Sequence, residues 1–119
     1  MSTQTVATPT TPFKIGWIVL LGLSVLMALN HIILIFVMRD EALLFVGWAA
    51  FNLLSTALLY VPFRRGEKWA WYASWILVIA FALPILFSAE VFAVAYLIVA
   101  VVVALALLLT RPAFFQRES

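Results

Sequence analysis

The chain has 119 residues, 67% of them hydrophobic and 10% charged, with a mean hydropathy of +1.20; a water-soluble domain is closer to half apolar and a quarter charged, so the excess has to face lipid. The absence of cysteine excludes a disulfide framework, a thiolate nucleophile and a Cys-ligated metal cluster. The net charge of +2 is small and its basic residues stand at the ends of hydrophobic runs, which reads as orientation in a bilayer rather than as a nucleic-acid surface.

Residues 1–12, MSTQTVATPTTP, carry no charged side chain and too little apolar area to offset the entropy of ordering, so a mobile, disordered tail is expected. It lacks the positive n-region of a secretory signal. The first span runs over 15–37, opened by Lys14 and Trp17 and closed by the string MRDE. The second, 42–61, follows almost at once and is expected to stop at Pro62, whose ring nitrogen has no proton to donate. So short a connection makes the pair an antiparallel hairpin.

In PFRRGEKWAWY, Gly66 permits a turn, Glu67 suits the positive end of the next helix, and Trp69, Trp71 and Tyr72 match an interfacial aromatic belt. The third span is 69–87 and the fourth 91–109, ending at Arg111 and Pro112. A single helix from Trp69 to Leu109 would be roughly 60 Å long, about twice the hydrocarbon thickness, so the chain must reverse between them. Pro84 and Glu90 mark the place. The membrane domain is therefore 13–112, with a short tail at 113–119.

These elements predict an all-α fold, an integral membrane four-helix bundle in up-down-up-down order. Lys14, Arg64, Arg65, Lys68, Arg111 and Arg117 fall on one side, and Arg39 on the other beside Asp40, Glu41 and Glu90. That bias predicts both termini and the central loop in the cytoplasm of a multi-pass protein.

Five residues are candidates for chemistry. Asn30 and His31 lie one and a half to two turns below the end of the first span, and neighbours on a helix point about 100° apart. Ser24 and Met27 share the His31 face. In the second span Trp48, Asn52, Ser55 and Thr56 form one stripe, and Asn52 at mid-bilayer needs a partner on another helix. In the fourth, Ala89, Ala93, Tyr96, Ala100 and Ala104 form a small-residue seam that is expected to pack inward. Pro84 is expected to free a carbonyl that His31 or Tyr96 would satisfy.

Two readings of Asn30, His31, Asn52, Tyr96 and Glu90 stay open: hydrogen bonds that hold helices together, or a ligand or proton site around a small cavity. Glu90, Asp40 and Glu41 also suit helix starts. His31 precedes Asp40 by nine residues, about 13 Å of helix, which does not suit a shared metal. A single His excludes a haem with two axial histidines. No catalytic group, metal or cofactor is predicted.

The string Arg65-Gly66-Glu67-Lys68-Trp69-Ala70-Trp71-Tyr72, after the second of four spans, resembles a loop in small uncharacterised bacterial four-helix membrane proteins. The resemblance implies a prokaryotic inner-membrane address and four spans, and adds no catalytic residue. Small multidrug exporters are similar in outline only, since their hallmark is a Glu in the first span and this one has none. The sequence-based expectation is a small membrane accessory or interaction protein without catalysis of its own, its partners being the lipid bilayer and another membrane protein or itself. The alternative is a bundle that binds or turns over an apolar small molecule in its outer half; a proton-coupled transporter ranks behind both.

Overall fold

The computed structural model describes residues 10–88 and 90–115. Four helices account for nearly all of them: α1 (Thr11–Val37), α2 (Ala42–Leu58), α3 (Lys68–Ala82) and α4 (Val91–Phe115). No strand occurs among the described residues. A 3₁₀ turn at Arg39–Glu41 leads into α2, a π turn at Leu59–Phe63 extends it, and a 3₁₀ turn at Leu83–Leu86 extends α3. With these extensions all four helices are long and apolar enough to cross a membrane. The protein is a multi-pass membrane bundle 55 Å long, against a hydrocarbon core about 30 Å thick.

Helix ends differ from the sequence-based expectation for local reasons. Thr10 is an N-cap whose hydroxyl accepts from the Phe13 N–H at 3.3 Å, so α1 begins at Thr11, within the expected tail. Pro12 fits there because the first-turn N–H groups have no intrahelical partner. Pro62 does not stop α2; the chain widens into the π turn and carries on to Phe63. Gly66, at φ +80°, then closes the helix. The Glu67 N–H reaches the Pro62 carbonyl at 3.1 Å and the Gly66 N–H the Phe63 carbonyl at 2.9 Å, the paired bonds of a Schellman motif. Pro112 likewise lies inside α4, which runs on to Phe115, beyond the expected domain limit.

α1 packs against α2 and α4, and α4 against α3, while α2 and α3 barely meet. Antiparallel order gathers Lys14, Arg64, Arg65, Lys68 and Arg111 at one end, the basic end, and Arg39, Asp40, Glu41 and Glu90 at the other, the acidic end. Arg117 is outside the described residues. At the basic end Phe63 meets Phe114 edge to face (4.8 Å between ring centroids) and stacks near Phe13 (6.0 Å). Arg64 lies over the Tyr60 ring at 4.7 Å, and Lys68 and Arg111 lie over Phe115 at 5.6 and 5.5 Å, so the basic loop is folded onto the end of the bundle.

The expected α4 seam holds in part. Ala93 and Ala100 are buried and Tyr96 and Ala104 half-buried; below them the buried line moves to Val103, Ala106, Leu107, Thr110 and Phe114. Ala89 lies outside the described residues. Trp71 departs from the aromatic belt: Trp69 and Tyr72 are exposed, but Trp71 is buried and its indole donates to the Leu107 carbonyl at 3.0 Å.

Candidate functional site

Asn52 sits at the centre of the buried face of α2 and joins it to α1. Its carbonyl oxygen accepts from the Thr56 hydroxyl at 2.8 Å and lies 3.1 Å from Ser24 Oγ on α1, itself 2.9 Å from Thr56 Oγ1. Its side-chain Oδ1 lies 2.8 Å from His31 Nδ1. Because an amide oxygen only accepts, the imidazole carries its proton on Nδ1. The lone pair of Nε2 is then free to accept from the Tyr96 hydroxyl of α4, 3.2 Å away. A directed chain results, from Tyr96 through His31 to Asn52, tying α4 to α1 to α2.

Aromatic rings enclose this chain. The His31 ring lies against Trp48 at 5.6 Å and Phe45 at 6.1 Å, both within 24° of parallel. Trp48 in turn stacks near Phe81 of α3 at 6.2 Å and Tyr96 at 6.5 Å. His31 is 1% exposed and Asn52 fully buried. One polar atom in the cluster, Asn52 Nδ2, is buried without a hydrogen-bond partner, and such a group is normally matched in a low-dielectric interior.

Of the five candidates, the structure brings together His31, Asn52 and Tyr96. Asn30 turns away from the bundle and is exposed, one residue and about 100° around α1 from His31. Glu90 is exposed as well; its N–H donates to Ser88 Oγ at 3.1 Å and its carbonyl accepts from Val94 at 3.1 Å, so it opens α4 rather than facing His31. The carbonyl expected to be freed by Pro84 does not engage His31 or Tyr96, which hydrogen-bond to each other; Pro84 is the second residue of the 3₁₀ turn.

Sequence reasoning missed two indole bonds and most of the aromatic cage. Trp17 is directed inward, donating to the Leu59 carbonyl in the π turn at 2.7 Å. Phe45 precedes Asn52 by seven residues, and Phe81 ends the α3 series Ala70, Ser74, Leu77, Phe81, all buried; those helical spacings were the available signal. Among the described residues no three His, Asp or Glu side chains converge as a metal donor set. A groove of about 290 Å³ opens between α2 and α3, lined by Leu44, Gly47, Trp48, Phe51 and Ala80.

No family model, curated protein or solved structure matches this chain.

Proposed function

We propose that this chain is a small membrane accessory or interaction protein without catalysis of its own, placed in a prokaryotic inner membrane with its termini and basic loop in the cytoplasm. One observation carries the reading: both ring nitrogens of His31 are occupied by side chains of other helices, at 2.8 and 3.2 Å, so the one imidazole is spent on joining α1, α2 and α4. The nearest α1 hydroxyl, Ser24, is seven residues away, about 10 Å along the helix, and engaged with Asn52 and Thr56. Among the described residues, nucleophile, base and orienting group do not converge around His31. The orientation rests on the charge bias across the bundle, and the prokaryotic address on the likeness of the 65–72 loop.

The test is His31→Leu, purified gently from membranes beside the parent chain. A lower Tm with an unchanged set of co-purifying small molecules supports the reading. A variant of parental Tm that loses a bound molecule overturns it.

A second reading has one observation in its favour, Asn52 Nδ2, which is buried without a hydrogen-bond partner. A mostly apolar molecule bearing a single hydrogen-bond acceptor suits that donor. Retention of such a molecule by the parent chain and its loss from Asn52→Leu would support this reading over the first.

A further inference from the structure

We infer that this chain self-associates as a parallel two-fold dimer through the exposed face of α1, with Asn30 hydrogen-bonded to Asn30 of a second copy. The inference rests on the interaction reading above and names the partner.

Lys14 and Arg39 are 25 residues apart on the chain, about 37 Å of helix, so a 30 Å hydrocarbon layer between them leaves Asn30 about 10 Å inside it. An Asn side chain is too short to reach water from there. Among the described residues of α1 in this half, Ser24 and His31 bond to other helices, and Asn30 has no such bond. The exposed side chains of α2, α3 and α4 at comparable depth are all apolar among the described residues. Asn30 therefore stands alone as an amide presented to hydrocarbon, an unfavourable arrangement for a polar group that can both donate and accept.

The surroundings fit an identical helix. Leu26, Asn30, Ile33 and Val37 recur at spacings of four, three and four, the seven-residue repeat of a left-handed helix pair, and the three apolar members are 61, 59 and 70% exposed. A single Asn in such a seam sets register. Two copies inserted with the same topology meet around an axis normal to the membrane, so Asn30 finds Asn30 at its own depth, and each amide donates to the other's oxygen. A different protein would need to bring a matched polar group to that level.

The cysteine-free sequence makes the test direct. Single variants Val37→Cys on the seam, and Leu43→Cys and Phe92→Cys on exposed positions of α2 and α4 near the same end, are reconstituted in phospholipid vesicles at low protein density and oxidised. Val37→Cys is expected to give covalent dimers about tenfold more readily than either control. Adding Asn30→Leu should reduce that yield about tenfold, with an unchanged Tm because the residue is outside the core, while Asn30→Gln retains most of it. Equal crosslinking at all three positions, or a yield indifferent to Asn30→Leu, overturns the inference. Crosslinking through Leu43→Cys or Phe92→Cys in place of Val37→Cys overturns the α1 interface and leaves the interaction reading standing. Chains that crosslink nowhere, and whose His31→Leu form keeps its Tm but loses a bound molecule, overturn both.

Discussion

Gly16 of α1 lies against Thr110 of α4 so closely that a Cβ added to the glycine would stand 2.5 Å from Thr110 Cγ2 and 2.9 Å from the Ala106 carbonyl oxygen. The Thr110 hydroxyl is held by the Leu107 carbonyl at 2.8 Å, and Ala106 presents backbone, so neither neighbour yields easily. Gly16→Ala is therefore expected to destabilise the bundle by about 1–3 kcal/mol, as overpacking does. Gly22→Ala, with open space around its Cβ, is the control and should leave the unfolding midpoint in detergent unchanged or slightly raised.

The His31 to Asn52 bond is best measured as a cycle. His31→Leu leaves Asn52 with neither end of its side-chain amide bonded and removes the acceptor of the Tyr96 hydroxyl, which should lower stability by about 1–3 kcal/mol. Asn52→Leu also leaves the Nδ1 proton stranded. The double variant, with the pair gone, should lose less than the sum, by about 0.5–1.7 kcal/mol. Strict additivity in chemical unfolding would show that the two side chains do not interact.

The π turn makes a coupled prediction. Trp17→Phe removes the donor to the Leu59 carbonyl and should cost about 1 kcal/mol. Pro62→Ala restores a backbone N–H at the proline and lets the turn tighten to α, where Leu59 gains the Phe63 N–H as its partner. In that background Trp17→Phe should cost measurably less. An equal loss in both backgrounds would disconnect the indole from the wide turn.

Topology is tested with the same cysteine-free chain. Asp40→Cys at the acidic end and Arg65→Cys at the basic end should react with membrane-impermeant maleimide from opposite sides of right-side-out vesicles, Asp40→Cys from outside. Reaction of Asp40→Cys only after permeabilisation would reverse the orientation. Reaction of both from one side would break the count of crossings.

Gly66→Ala should cost about 1 kcal/mol although nothing lies within 4 Å of the added Cβ, because at φ +80° the penalty is in the backbone. Gly66→Asn should recover part of it. An alanine variant of parental Tm would show that the turn had found another conformation.

Particular residues mark how far the sequence was legible. His31, Asn52 and Tyr96 were recognisable as interior groups because each is a strong hydrogen-bonding side chain in an apolar run, and a bilayer penalises leaving such a group unmatched. Asn30 met the same criterion and belongs elsewhere, since one step along a helix is about 100° of rotation. Trp71 matches an interfacial belt by its place near a span end, and Trp17 stands at the start of a span; the indoles of both serve carbonyls of other helices. Glu90 suits both a helix start and the polar site by its place in the sequence, and its carbonyl accepts from the Val94 N–H at the start of α4.

Run length against bilayer thickness determined the number of crossings and their alternation from sequence alone, since each segment is apolar over a distance that lipid must cover and a helix satisfies most of its backbone groups internally. Charge placement at the run ends belongs to the same category. Which side of each helix faces its neighbours was legible only at a few polar and small residues, and the rest of each rotation was decided by the tertiary structure. These helices are hydrophobic nearly all round, so no amphipathic stripe sets their rotation, and it is the fit of Gly16 against Thr110, the wide turn before Phe63 and the His31 bridge that fix it.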